Sequence, residues 1–532
     1  MGARQVCYIC RALRQMTARY APTYSPRAST GFVAVSLLVA GILRRRFAQP
    51  KQLPCPPGPK RLPLIGNFLQ LLSKPLYKVS VEWGKEYGDL IYLESFGQKI
   101  LIINSYEHAR NLLDRRSSIY SSRPHTIMAN DAEDWAWLTT FIPYGDIFKR
   151  HRSYQQRFLG SYHAVDYREI QLRETLGLLK AILRDPEEYG THVESLPGSV
   201  ILMNVYGHKV EKNDRYVQIA KLGANYSGDA EGYMFLDVFP WLQYLPEWFP
   251  WVDFPRVARE AREISYAMRY EPYRDAKKKF ERGDLKECMT SVYLGENTRE
   301  DGSLVDEDVF LAAIGTLYMG GVETSVSGIM TFFLQMLQNP EVQRAAQKEI
   351  DEVVGTDRLP TFDDIDALPY VHGVCFEVFR LAAIIPLIVP HYTTEEDVYQ
   401  GYRIPAGTSV ITNAWAMANN PDYFPEPLKF RPERWLPQSD AKIVQGPRPN
   451  DFIFGFGRRA CPGQEWAERL IFIVTASILA TFNIERAIGE DGSPIAPNEE
   501  YSLGFIRQLR QSKCKITPRS PKAASLIENS FQ

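Results

Sequence analysis

One cysteine stands where a thiol could do chemistry. Residues Phe452–Leu479 read FIFGFGRRACPGQEWAERLIFIVTASIL. Cys461 lies in a glycine-rich turn. The turn opens into a helix striped by Ala467, Leu470, Ile471, Val474, Ile478 and Leu479, near the i, i+3, i+4, i+7 spacing of a buried face. Backbone N–H groups and the dipole at a helix start favour an anion, so this placement stabilises a thiolate. A thiolate on a close-approaching backbone suits a soft metal. Gly455, Gly457 and Gly463 leave room for a flat, bulky partner, and Phe454 and Phe456 could shield the sulfur from water. Two other readings use the same residues. A cysteine near a helix start often serves as a small buried hydrophobe. Gly455-Phe-Gly457-Arg-Arg-Ala460 also fits the G-x-G-x-x-G/A dinucleotide fingerprint. No second strand with an acidic residue follows it, however, and the helix runs on to Phe482, close to the chain end.

A second candidate is an acid beside an alcohol. Asp306 is a plausible N-cap, with Glu307 and Asp308 in the first turn, and the pattern predicts a helix from there to about Leu337. Such a helix is far longer than average and would cross the whole domain. Gly320-Gly321-Val-Glu323-Thr324-Ser325 sits at its centre. Each mid-helix glycine costs about 1 kcal/mol relative to alanine, so something must offset it. Glycines admit a close neighbour, Thr324 can bend the backbone by bonding an i−4 carbonyl, and Glu323 with Thr324 makes a credible proton relay. The competing reading is a solvated helix face. Glu377-Val-Phe-Arg380 is an i, i+3 acid–base pair, unremarkable by itself. Lys149, Arg150 and Arg152 form a basic cluster, either a solvated face or a dock for an acidic partner.

The elements that must hold these residues belong to a large globular chain. Of 532 residues 45% are hydrophobic and 23% charged, and Lys+Arg 62 against Asp+Glu 63 gives no basic excess for nucleic acid. No linker or repeat divides residues 60–510, which points to one large domain. Seven scattered cysteines argue against a disulfide framework and fit a reducing compartment. Ala28–Leu43 is uncharged and mostly apolar, and Arg44-Arg45-Arg46 follows at once. Sixteen helical residues reach about 24 Å, a short membrane anchor. The first acid is Glu82, so an Arg-rich mitochondrial presequence is the alternative to the anchor. The expected order is a basic segment (1–27), anchor and basic stop (28–46), a proline-rich hinge (47–62), the catalytic domain (63–517) and a loose tail (518–532). Pro54-Cys-Pro-Pro-Gly-Pro59 would be a stiff spacer. Leu90-Ile-Tyr-Leu and Lys99–Ile103 read as strands, and Tyr399–Ile411 as a short hairpin. Asn339-Pro340 caps the next helix, with Gly355 past its end. The aromatic, proline-rich stretch Phe235–Val252 is either an apolar interface or ordinary core.

The string Phe454-x-x-Gly457-x-Arg459-x-Cys461-x-Gly463 resembles the haem-binding loop of the cytochrome P-450 family, whose cysteine thiolate is the axial ligand of haem iron. Other motifs of that family follow in its order. Phe148-Lys-Arg-His-Arg152 resembles its W-x-x-x-R helix, with phenylalanine replacing tryptophan. Gly321–Thr324 resembles its acid–alcohol helix. Glu377-x-x-Arg380 with Pro432-Glu-Arg434-Trp435 resembles its E-x-x-R and P-E-R-F pair, with Trp435 replacing phenylalanine. The resemblance covers about residues 54–516. It implies a mainly α fold with a minor β region, a single large domain behind an N-terminal membrane anchor. It further implies haem b held by Cys461, with Arg152, His391 and Arg459 neutralising propionates. Glu323 and Thr324 would relay protons for oxygen activation. Glu377, Arg380 and Arg434 would form a buried structural network. Ile384–His391 would line the substrate cavity, with its shape also set by Asn130–Ile142 and Tyr501–Ile506. The implied activity is insertion of one oxygen atom from O2 into an apolar small molecule. Electrons would come from NADPH through a reductase, at the endoplasmic reticulum with the catalytic domain in the cytosol. The wording around the motifs resembles fungal microsomal members, which by analogy suggests terpenoid or aromatic secondary metabolism. Xenobiotic or polycyclic aromatic oxidation, a haem-thiolate isomerase or dehydratase, and a non-catalytic haem sensor are the alternatives.

Overall fold

The structure, a computed structural model, describes residues 53–72, 75–160, 166–250, 252–436, 446–502 and 504–530. The expected anchor, its basic stop and residues 47–52 of the hinge lie outside the described residues. From the proline-rich run onward, Cys55–Pro59 is non-helical, as proline dictates. It is not a free spacer, however. Tyr92 N–H donates to the Pro57 carbonyl at 2.9 Å, and a Cβ on Gly58 would fall 2.2 Å from the Tyr92 carbonyl oxygen, so the run lies directly on the first strand.

Helix α1 (Leu76–Tyr87) leads into strands β1 (Leu90–Ser95) and β2 (Gln98–Ile103). Then come α2 (Asp146–Leu159), α3 (Tyr167–Arg184), α4 (Tyr189–Tyr206), α5 (Arg215–Asp229) and α6 (Phe254–Glu281). The start of α5 is capped by the Asp214 side chain, and α4 ends on Gly207 at φ 61°, a left-handed position that glycine takes without strain. The long central helix is α7 (Glu307–Gln338), at about 48 Å the longest span of the fold. Asp306 does stand before it, but at φ 60° and with no side-chain cap bond, because its carboxylate is turned to Arg150. Helices α8 (Pro340–Val353) and α9 (Pro369–Ala382) follow; Pro340 occupies N1 of α8, and Gly355 lies beyond it at φ 80°.

Strands β3 (Leu387–Tyr392) and β4 (Thr408–Asn413) join the first two in a four-stranded sheet of order β1-β2-β4-β3. The β2–β4 pair is parallel, Lys99 opposite Thr408 through Ile103 opposite Thr412; the other two pairs are antiparallel. The hairpin expected over Tyr399–Ile411 holds only in its first half, as the short two-stranded sheet of Asp397–Tyr399 and Tyr402–Ile404. Thr408–Ile411 instead crosses to β2, where Thr408 and Val410 turn to a buried face. Helix α10 (Gln464–Thr481) and the antiparallel pair β5 (Phe482–Arg486) and β6 (Cys514–Pro518) complete the core. The expected loose tail is also corrected. Pro521–Asn529 is a helix, α11, capped by Ser520 and packed through buried Ala523 and Ile527 against α3 and α10.

The fold is thus mainly helical with small sheets. Its elements lie in the unit Cys55–Tyr399 and Ile404–Gln532. Gln400–Arg403 belong to a second, small unit, where Arg403 N–H donates to the Pro54 carbonyl at 2.8 Å. Helix α7 organises the larger unit, packing against α2, α4, α5, α6, α9 and α10. Among the described residues it alone is long and apolar enough to cross a membrane, and its apolar stretch is mostly buried in the core. The aromatic stretch after α5 resolves toward the surface: Trp241 is 64% exposed, and Tyr244 and Trp248 are each 81% exposed.

Candidate active site

The cysteine loop is shaped by its backbone. Gly455 and Gly457 sit at φ 80° and 53°. A Cβ on Gly457 would lie 2.3 Å from the Leu113 carbonyl oxygen, so no larger residue fits that contact. The Cys461 N–H donates to the Phe454 carbonyl at 2.8 Å, closing the loop, and α10 begins three residues later. The sulfur receives the Gly463 N–H and feels the Arg152 charge. Both draw the thiol toward the thiolate, while burial pushes it up more strongly. Protein surrounds the sulfur, yet Cys461 remains accessible to solvent. A group that is deep and accessible at once borders an internal space. Phe454 meets Phe379 edge-on at 5.5 Å, and Phe456 packs against Tyr106 in the neighbouring core, so it does not shield the sulfur.

Four basic side chains converge on this loop without an acid among them. Arg459 donates from Nε to the Ser121 carbonyl at 2.7 Å, and from its terminal nitrogens to Thr139 at 3.1 Å and Ile142 at 2.7 Å. Its guanidinium lies 3.8 Å from the Phe148 ring centroid, so phenylalanine in place of tryptophan still supplies a stacking surface. Burial, then the neighbouring Arg152 charge, lowers Arg459 to about 9. His391 is 1% exposed; its Nδ1 donates to the Tyr120 carbonyl at 2.8 Å, and its Nε2 is buried with no partner among the described residues. Burial, with Arg123 and Arg459 beside it, holds His391 well below the ordinary imidazole range. Arg152, on α2, is half-buried and makes no hydrogen bond or ion pair with any described residue. Arg123 was not legible in the sequence. It is buried, donates to the Thr140, Val389 and Pro390 carbonyls, and lies close enough to Arg459 for each charge to oppose the other. Its one sequence signal is the proline that follows it.

Buried like charges at this density are unfavourable unless an anion compensates them. An orphaned imidazole nitrogen, an unpaired guanidinium and a thiol at a helix start together fit a flat ligand that carries carboxylates and a thiophilic metal. The residues present therefore fit a haem. Cys461 would hold the iron, and Arg152, His391 and the Arg123–Arg459 pair would face the carboxylates.

Helix α7 supplies a second wall. Most of it is buried, but Thr316, Gly320 and Thr324 are accessible at i, i+4 and i+8. A Cβ on Gly320 would meet nothing within 4 Å, whereas one on Gly321 would press on Ile201 of α4 at 3.2 Å. The double glycine is thus split between open space and close packing. Thr324 Oγ1 donates to the Gly320 carbonyl at 2.6 Å, the back-bond its position predicts. Glu323 is 6% exposed and accepts from Gln508 Nε2; burial pushes its carboxyl up, with Lys221 and Glu194 acting in opposite directions. Ile384, Ile385, Leu387 and Val389 are partly accessible apolar residues in the stretch before His391.

The predicted Glu377, Arg380 and Arg434 do come together. Arg380 donates to both Glu377 oxygens, at 2.8 and 2.7 Å, and to the carbonyls of Ala418, Pro427 and Lys429. Arg434 lies 3.6 Å from Glu377, and all three side chains are fully buried. Trp435 joins them, its indole N–H donating to Glu377 Oε1 at 3.1 Å, a bond phenylalanine could not make. Two of the basic residues on α2 are spoken for: Lys149 pairs with Asp146 at 3.1 Å, and Arg150 with Asp306.

Comparison with known proteins places this geometry. The family model for cytochrome P450 matches residues 56–513. A cytochrome P450 monooxygenase of Armillaria gallica is 38% identical over 506 residues, covering 94% of this chain and 99% of the relative. One of Ampulloclitocybe clavipes is 38% identical, covering 93% and 91%, and one of Coprinopsis cinerea is 36% identical, covering 93% and 97%.

Proposed function

The chain belongs to the cytochrome P450 family, and from that premise we propose that it is a haem-thiolate monooxygenase, dependent on an NADPH reductase, that inserts one oxygen atom from O2 into an apolar small molecule. The observation that carries this reading is the cluster around Cys461: buried Arg123, Arg459 and His391 with half-buried Arg152, paired with no acid among the described residues, beside an accessible thiol. A bound haem, its iron held by the Cys461 thiolate, would supply oxygen activation.

The chain's own residues do the rest. Cys461 is held as a donor by the Gly463 N–H and the Arg152 charge. Arg459 fixes the loop to the carbonyls of Ser121, Thr139 and Ile142. Thr324 loosens α7 at Gly320, and Glu323, its carboxyl pushed up by burial, stands next to that gap as an acid that can pass a proton. The partly accessible Ile384–Val389 stretch gives an apolar wall that excludes water. An oxidation in fungal secondary metabolism, on terpenoid or aromatic compounds, accords with the fungal relatives. So does attachment to the endoplasmic reticulum membrane through the N-terminal segment. The intact Glu323–Thr324 pair weighs against an isomerase or dehydratase, which needs no proton relay.

The test uses membranes containing the protein and a reductase, incubated with terpenes, steroids and polyaromatics. NADPH- and O2-dependent oxygenation of one class is expected, and absence of NADPH consumption across the panel removes the monooxygenase reading. In parallel, Cys461→Ser should fold yet lose the red-shifted absorbance of the reduced carbon-monoxide complex; retention of that band refutes the ligand assignment.

A further inference from the structure

Glu323 is oriented from outside its own helix. Among the described residues, the donor to its carboxylate is the Gln508 side-chain amide. Gln508 stands on the loop Tyr501–Leu509, which is braced against itself. Ser502 N–H donates to the Gln508 carbonyl at 2.8 Å, and Gln508 N–H returns to Ser502 Oγ at 3.0 Å. The loop is also bolted at Arg507, the residue before Gln508. Ser327 on α7, one turn beyond Glu323, donates to the Arg507 carbonyl. Arg507 N–H donates to the Ile384 carbonyl at 2.8 Å, and its guanidinium donates to the Ala382 carbonyl at 2.5 Å. An amide mounted on so constrained a backbone cannot follow Glu323 if the acid turns away. The other charges facing Glu323 are Lys221 of α5 and Glu194 of α4, which pair with each other at 3.1 Å and are about half exposed.

We propose that Gln508 is the positioning residue of Glu323, its amide holding the carboxylate in one orientation beside the Thr324–Gly320 gap. This rests on the reading of Glu323 as the acid of the proton relay. Two consequences follow from the geometry. The amide N–H stabilises the carboxylate against burial, so its removal drives the acid toward the protonated form. A carboxyl free to rotate also loses its alignment, and misplacement by an ångström costs proton transfer heavily.

The experiment compares full-length holoenzyme in the wild type, Gln508→Leu, Gln508→Glu and Glu323→Gln. The infrared carboxyl band that Glu323→Gln removes identifies Glu323, and its titration is followed with pH. The share of NADPH electrons appearing in product, rather than in peroxide, is measured beside it. In Gln508→Leu the Glu323 band should titrate at higher pH, and coupling to product should fall about tenfold. Gln508→Glu keeps the shape but donates only when protonated. Its coupling should recover near pH 6 and fail near pH 8, and this variant decides the matter if Gln508→Leu does not fold. An unshifted band with retained coupling in Gln508→Leu overturns the proposal, as does coupling indifferent to pH in Gln508→Glu. Full coupling in Glu323→Gln instead removes the relay reading, while the band titration still reports whether Gln508 holds the carboxylate.

Discussion

Glu133→Gln should stabilise this protein, and more so as pH rises. Glu133 is fully buried in the turn that shapes one side of the site, between the helical segment Ile127–Ala132 and Trp135. Its Oε2 accepts from the Trp135 indole N–H at 2.9 Å, while its Oε1 is buried with no partner among the described residues. Burial pushes the carboxyl from 4.5 up to about 8; the Trp135 bond opposes this, and Asp229 adds to it. The folded chain therefore keeps a proton that the unfolded chain releases once pH passes 4.5. The folded state binds more protons in that window, so stability falls as pH rises from 4.5 toward 8. At about 1.4 kcal/mol per pH unit the cost is about 3 kcal/mol at about pH 7, levelling off near 5 kcal/mol above pH 8. Glutamine copies the neutral acid and can still accept from Trp135 without paying that cost. Denaturant midpoints by circular dichroism at several pH values between about 4.5 and 8 read the difference. The gain should be near zero at the acid end and grow steadily. A gain of equal size at both ends, or a loss throughout, refutes a neutral buried acid at this position.

Two further outcomes follow from particular bonds. Trp435→Phe removes an indole donor from the buried Glu377 carboxylate. It should cost about 1.5–3 kcal/mol in urea unfolding, a loss that falls to about 1 kcal/mol when Glu377 is already glutamine, which leaves only a neutral acceptor; an additive double mutant rejects the contact. Arg152→Leu removes a half-buried cation with no partner among the described residues. The haem-free protein should be as stable as before or more so, while haem is lost faster on dilution into apomyoglobin. Unchanged haem retention would separate Arg152 from the cofactor.

The long central helix, the strands of the first hairpin and the cysteine loop were readable from the chain because their signals are local. Periodicity places α7, and a glycine demanded by backbone contact marks Gly457. The E-x-x-R pair was legible as a motif, but that Trp435 donates to Glu377 was not, since the bond spans 58 positions. The loose tail was misread for a related reason. Pro521–Asn529 is too short for its periodicity to declare a helix, and only α3 and α10 give Ala523 and Ile527 a surface to bury against.

By itself the sequence determined the thiol at a helix start, the acid–alcohol pair in a glycine-broken helix and a mainly helical chain, all set by residues within a few turns of one another. The tertiary structure alone decided that Arg123 joins the Cys461 loop, that Arg150 spends its charge on Asp306, and that Gln508 reaches Glu323. The physical reason is distance along the chain. Charge burial and hydrogen-bond satisfaction are settled between segments hundreds of residues apart, where no periodicity in the sequence records which partner will be met.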